Sequence, residues 1–338
     1  MSSVVDLRRL AVGERVQDPL LVWEVENRGS GETLFTVLTL GNSSGRLESA
    51  PFWNEAQAQI AGVSRGDVVQ VIGEVGVYRE KRQLKVSSIR VLPRTGIDWR
   101  QLLPSIDDAA PFWDTLDRWR SEIRRPRLAE VLSLFFDDPD FRSRFELCPA
   151  ATAGHHAELG GLLRHVTEVA SIGRAIGRAC RADQELVLAG ALLHDIGTLE
   201  SYTWDGAFGT TECGALLGHV VLGVLMLDRR VAEEAVSPCT DEELMILEHM
   251  ILSHHGRLEF GAAVQPMTLE AEILHYADNA SAKTASMSDA LRDPENFPDG
   301  GPLSARGIWT LDRRKAWRGA SDWGETSAPL RLVAGDGD

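Results

Sequence analysis

The sequence is poor in cysteine and tyrosine, with four Cys and three Tyr in 338 residues. Cys148, Cys180, Cys213 and Cys239 are scattered and form no CxxC pair, which excludes a disulfide framework and a cysteine zinc site and fits reduced thiols in a cytoplasm. No apolar run approaches the ~20 residues that span a bilayer, so no membrane contact is expected. Residues 1–20 carry Asp6, Arg8, Arg9, Glu14 and Arg15 with no continuous apolar core, so no secretory leader is expected there. Excess positive charge is also missing: the formal net charge is −15, which excludes a simple basic coat for nucleic acid. Histidine is absent from the first 154 residues.

The acidity is unevenly spread. Residues 1–95 hold 12 Lys/Arg and 11 Asp/Glu, a net of +1, whereas residues 96–338 hold 23 and 39, a net of −16. The periodicity changes at the same place, from two to 3.6. At ~150 residues per domain the length allows about two domains, and the boundary is expected near residue 95. The first part reads as strands over 18–26, 32–40, 44–50, 67–78 and 83–92, with Leu34, Thr36, Leu38 and Leu40 on one face and Val69, Val71, Val75 and Val77 on another. A short helical run, Trp53–Ile60, lies between the third and fourth strands. Three strands, a helix and two strands is the order of an OB-fold, a five-stranded β-barrel that often binds oligonucleotides. Its candidate stacking groups are Trp23, Phe35, Phe52, Trp53 and Tyr78, and Arg79, Lys81, Arg82 and Lys85 cluster at the last turn.

Residues 96–111 read as a connector. Beyond them, helices are expected over 112–124, 127–137, 159–179, 183–197, 213–228, 240–255 and 268–291, giving an all-α second domain. All nine histidines fall here: His155, His156, His165, His194, His219, His249, His254, His255 and His275. Several stand in apolar helical settings such as Ala191-Leu192-Leu193-His194-Asp195, where an unpaired imidazole loses its solvation. Shared metal ions satisfy several such rings at once. His194 and Asp195 point ~100° apart on a helix, so they can serve one ion only at a helix end or in a pocket between helices. Asp195 has two oxygens and can bridge two ions, and ions ~3.5–4 Å apart can hold a phosphoryl oxygen and generate a hydroxide.

The order His165, His194-Asp195, Asp278 resembles the HD-domain signature of metal-dependent phosphohydrolases. His219 and His254-His255 resemble the extended pattern of its two-metal members. The local runs Gly160-Gly161-Leu162-Leu163-Arg164-His165, Leu216-Leu217-Gly218-His219, His249-Met250-Ile251-Leu252-Ser253-His254-His255-Gly256 and Ala271–Asn279 are similar to those of the YhaM-type 3′–5′ exoribonucleases, which carry an OB-fold ahead of the HD domain. The resemblance covers roughly residues 15–318. It implies one ion held by His165, His194, Asp195 and Asp278, and a second held by Asp195, His219, His254 and His255. Manganese is the ion expected, and iron, cobalt and zinc suit the same nitrogen-rich set. It further implies hydrolysis of single-stranded RNA, and of single-stranded DNA as a second substrate, to nucleoside monophosphates from the 3′ end.

One departure stands out: the family usually has Lys where this chain has Thr198, after His194-Asp195-Ile196-Gly197. Thr198 offers a hydroxyl in place of a cation, and Arg164, Lys283 or the His155-His156 pair is the candidate substitute. His249 and His275 are candidates for supporting the ligands. The competing reading is an HD phosphohydrolase of a small nucleotide or cyclic dinucleotide. Homo-oligomerisation is a further partner to test. Residues 293–301 read as a loop. The segment Ile308–Arg318, with two Trp and four cations, reads as packing against the OB domain or as a basic-aromatic contact. Residues 319–338 read as a disordered tail.

Overall fold

The computed structural model describes residues 5–31, 34–79 and 81–319. The described chain divides into two compact units, Met1–Ala282 and Lys283–Asp338.

The first unit opens with an antiparallel sheet. Its strands are β1 (Arg15–Arg28), β2 (Phe35–Asn42), β3 (Gly45–Glu48), β4 (Phe52–Trp53), β5 (Val68–Tyr78) and β6 (Lys81–Val91). They hydrogen-bond in the order β3-β2-β1-β5-β6, with β4 also on β2. A 3-10 helix (Asn54–Ile60) follows β4, where a helical run was expected. The five expected strands are present, with the short β4 added; the first two residues of the expected second strand lie outside the described residues. The two ends of the strand path meet at a single parallel bridge, Ser49 to Leu84, where the Ala50 N–H also donates to the Leu84 carbonyl at 2.8 Å.

Alternation explains what each face buries. In β1, Leu20 and Val22 join Leu38, Leu40, Val69, Val71, Val75 and Leu84 in the core of the sheet. Their neighbours Leu21 and Trp23 point the other way and pack with Val68 against Leu102, Leu103, Leu159 and Phe208. The run Leu20-Leu21-Val22-Trp23 is therefore apolar throughout because both of its faces are buried. The expected faces hold for Val69, Val71 and Val75, but Val77 is exposed and so is Leu34. Val77 lies at the end of β5, paired with Arg82 beyond the buried Val75–Leu84 pair, where the strand runs out past the core.

Ten helices follow among the described residues: α1 (Trp99–Leu102), α2 (Ala110–Ser121), α3 (Pro126–Phe136), α4 (Pro139–Leu147), α5 (Gly161–Cys180), α6 (Gln184–Leu193), α7 (Thr198–Ser201), α8 (Glu212–Ala232), α9 (Asp241–Ser253) and α10 (Leu269–Arg292). Pro sits in the first turn of α2, α3 and α4, where its missing N–H costs nothing. α1, α4 and α7 were not expected. Nor was the small hairpin β7 (Tyr202–Thr203) and β8 (Gly209–Thr210), which makes the helical part less than all-α. The helical core runs from Phe135, Phe136 and Phe145 through Leu162, Leu163, Leu192 and Leu193 to Met250, Ile251 and Leu274. No helix among the described residues is long and apolar enough to cross a membrane.

In the second unit, Phe297, Leu311 and Ala316 pack on Met287, Ala290 and Leu291 of α10. The segment Ile308–Arg318 thus folds onto the end of its own helix, and Arg318 stacks on Phe297 at 4.1 Å. The expected disordered tail lies, from residue 320 on, outside the described residues.

Candidate metal centre

Five elements of the first unit bring the histidines together. α5 supplies His165 from its second turn. α6 ends on His194, whose N–H still bonds to the Gly190 carbonyl; the chain then tightens into i→i+3 bonds, Ile196 to Leu193 and Thr198 to Asp195. This helix end lets His194 and Asp195 serve one pocket although they are sequence neighbours. α8 is broken at Gly218, with φ 74° and ψ 155°, a region essentially reserved for glycine, and His219 follows the break. α9 ends on His254, followed by His255. α10 carries Asp278. Gly197 lets the turn after Asp195 lie on α8: a Cβ there would collide with the His219 carbonyl oxygen and the Gly223 amide.

The ligand atoms face one another. His165, His194 and Asp195 form one group and His219, His254 and His255 another, the atoms of each within 4.8 Å of one another. Asp195 stands between them. Its Oδ2 lies 3.6 Å from His165 Nε2 and 3.5 Å from His194 Nε2, and its Oδ1 lies 3.4 Å from His219 Nε2 and 3.6 Å from His254 Nε2. Asp278 Oδ1 is 3.1 Å from His165 Nε2.

The rings are pinned from behind. His194 Nδ1 donates to the Ala191 carbonyl at 2.8 Å, and His254 Nδ1 to the Ile251 carbonyl at 2.7 Å. A carbonyl only accepts, so both Nδ1 atoms carry the proton and both Nε2 atoms are bare. His194 Nε2 nevertheless lies 3.3 Å from His165 Nε2, and His219 Nε2 lies 3.3 Å from His255 Nε2. Asp195 Oδ1 is buried with no hydrogen-bond partner. Lone pairs and an orphaned carboxylate oxygen aimed at a common space are what a cation resolves, so these residues fit divalent metal.

The electrostatics agree. Burial alone would raise the Asp195 carboxyl, but His194, His219, His254 and His165 outweigh it and hold it well below the usual carboxylate range. Asp278 is likewise held low, against burial, chiefly by its hydrogen bond with His165. Burial lowers His194, His254 and His255, favouring the neutral ring that a metal requires. At His165 burial acts the same way but the partnership with Asp278 overcomes it, so its pKa rises.

The remaining candidates divide. His156 is buried with a left-handed backbone (φ 50°) and its Nε2 meets Glu168 Oε2 at 3.0 Å. Arg164 is tied to Glu168 at 3.0 Å and Glu158 at 3.1 Å. His155 is partly buried, its ring 6.1 Å from that of His165, and burial lowers its pKa to about 4. His275 Nδ1 donates to the His254 carbonyl at 3.0 Å, which supports the end of α9. His249 differs: its Nε2 accepts from the Met267 N–H at 2.9 Å and holds a loop.

Two catalytic candidates need correction. Thr198 is buried and its hydroxyl donates to the Asp195 carbonyl at 2.7 Å, so it closes the turn and has no hydroxyl to offer a substrate. Lys283 is paired with Asp312 at 2.8 Å inside the second unit. On the sheet, Trp23 is corrected as well. It is 4% exposed, Arg46 covers its face at 3.3 Å and Phe208 meets its edge, so no base can stack there. Phe52 is also core. Arg82 is spent on the carbonyls of Leu7, Arg8 and Leu10. Trp53 (49% exposed) packs on Phe35 with centroids 4.7 Å apart, and Tyr78 (59% exposed) lies beside Arg79; Lys81 and Lys85 are exposed. Sequence reasoning missed Glu168 and Ser281, which meet behind His165: Ser281 Oγ is 3.1 Å from His165 Nδ1 and 2.9 Å from Glu168 Oε2. Each stands three positions after a ligand, on the same helix face, which is the signal that was available.

Residues 162–283 match the HD domain. The chain is 33% identical over 290 residues to the 3'-5' exoribonuclease YhaM of Bacillus subtilis (strain 168), covering 83% of this chain and 88% of that protein. It is 32% identical over 321 residues to the 3'-5' exoribonuclease YhaM of Shouchella clausii (strain KSM-K16), covering 92% and 96%. With this likeness over most of both chains, and the HD domain on the residues that assemble the metal centre, the chain belongs to the YhaM family.

Proposed function

We propose that this chain is a metal-dependent 3′–5′ exoribonuclease that shortens single-stranded RNA, and more weakly single-stranded DNA, to nucleoside monophosphates. The observation that carries the reading is Asp195, with one oxygen turned to each histidine group. His165, His194, Asp195 and Asp278 would hold one ion, and Asp195, His219, His254 and His255 a second, with manganese the preferred metal. Bound ions supply Lewis-acid activation of water and neutralise charge on the phosphoryl oxygens. The protein residues fix the geometry: the Ala191 and Ile251 carbonyls orient His194 and His254, and the apolar walls of Leu192, Leu193 and Ile251 keep the ligand layer dry.

The sheet is read as an OB-fold barrel, supported by the strand order and by the Ser49–Leu84 bridge between the ends of the path. It would hold the upstream strand on Phe35, Trp53 and Tyr78, with Arg79, Lys81 and Lys85 near the backbone. The functional division is then an RNA-holding part over 1–95, a connector over 96–111, the HD part over 112–291 and an extension over 292–318. Full-length protein given 3′-hydroxyl single-stranded RNA with manganese is expected to release mononucleotides, and chelator to stop it. Asp195→Asn should cut the rate by about 10³-fold, since several kcal/mol of transition-state stabilisation is lost. Retained activity in that variant rejects the reading.

A further inference from the structure

His165 is anchored differently from the ligands at helix ends. His194 and His254 each donate Nδ1–H to a carbonyl three residues back. His165 sits inside α5, where those carbonyls serve the helix itself, and its Nδ1 faces Ser281 Oγ at 3.1 Å. Ser281 Oγ donates to Glu168 Oε2 at 2.9 Å. A hydroxyl has one proton, and this one goes to the carboxylate, so Oγ accepts from His165 Nδ1–H. That leaves Nε2 as the ring nitrogen facing Asp195 at 3.6 Å and Asp278 at 3.1 Å, the one a cation would take. Glu168 is itself held, Oε1 by Arg164 and Oε2 by His156, both at 3.0 Å.

The layout is layered. His165 and Glu168 are three apart on α5, and Asp278 and Ser281 are three apart on α10. One turn beyond the ligand pair His165–Asp278 lies a supporting pair, Glu168–Ser281, that joins the same two helices. We propose that Glu168, acting through Ser281, is a positioning residue for the His165 side of the metal centre: it fixes the tautomer and direction of His165 and leaves the His219–His254–His255 side untouched. This rests on the two-ion reading above.

The test uses full-length protein stripped by chelator and titrated calorimetrically with manganese alone, with cobalt absorption spectra in parallel. Ser281→Ala and Glu168→Gln should each weaken one of two binding events by about 10–100-fold and keep the other. Ser281→Thr, which restores the hydroxyl, should recover wild-type affinity and the wild-type cobalt spectrum. Equal manganese affinity in wild type and Ser281→Ala overturns the proposal and leaves the metal centre standing. Equal weakening of both events in Ser281→Ala also overturns it, because the role is then general packing. A wild-type chain that binds no manganese overturns the proposal together with the two-ion reading.

Discussion

Trp23 and Trp53 carry the same ring on the same sheet, yet they do different work. Trp23 is sealed between Arg46 and Phe208, while half of Trp53 is open beside Phe35. A base stacked on an aromatic is worth ~1–3 kcal/mol, so Trp53→Ala should weaken single-stranded RNA binding at least ~5-fold with kcat unchanged. Fluorescence anisotropy together with steady-state kinetics checks this, and an unchanged Kd removes Trp53 from the RNA path. The sequence singles out both tryptophans, but side-chain type does not show which strand face a helix will cover. Glu168 is the converse case. Burial alone would raise its carboxyl, but His156, Arg164 and Ser281 bring it down to about 2. A folded pKa below the ordinary ~4.3 adds stability that is complete above that pH and is lost as pH falls toward ~2. Urea unfolding of the chelated protein should therefore show a stability gap between wild type and Glu168→Gln that is full near pH ~6 and narrows below pH ~4.3. A gap that stays constant down to pH ~3 contradicts this.

At the scale of elements, two glycines let α8 present His219. Gly218 stands in a glycine-only backbone region with open space around it, so Gly218→Ala costs ~1–3 kcal/mol of strain and no collision. Gly197→Ala instead drives a methyl into the backbone of α8 and must push that helix away, costing ~1–3 kcal/mol or more. Both variants should unfold at lower temperature, and Gly197→Ala should also weaken manganese binding on the His219 side, as calorimetry would show. Wild-type affinity in Gly197→Ala argues that α8 yields without moving His219. The histidine order and the places of the long helices were legible in the sequence, because apolar periodicity and ligand type are local signals; the end of α6 at Leu193 was not, since the helix expected over 183–197 runs past Asp195. The kink at Gly218 was not, since a lone glycine inside a helical pattern does not declare its φ. Nor was the hairpin β7–β8, whose two-residue strands carry no period.

For the whole molecule, the change at residue 95 in charge and periodicity marks a change of architecture, yet the two parts share a core. Leu21, Trp23 and Val68 of the sheet close over Leu102, Leu103, Leu159 and Phe208, and Arg65 donates to the Phe208 carbonyl at 2.8 Å. Residues 96–338 made alone should expose that seat, at ~1.5–3 kcal/mol per large side chain uncovered. The expected result is a lower melting temperature and strong binding of a hydrophobic dye, while a fragment as stable as the full chain shows the seat to be unimportant. Tertiary pairing of this kind has no signature in composition, which is why the change from strands to helices was legible and the shared core, within the single compact unit Met1–Ala282, was not. The same contact gives β1 a property like that of a reading frame. Leu20 and Val22 belong to one core and Leu21 and Trp23 to the other, so a one-residue slip exchanges the two sets wholesale. An inserted or deleted residue there would mis-spell both cores at once, whereas the same change in a strand with one wet face would corrupt only one.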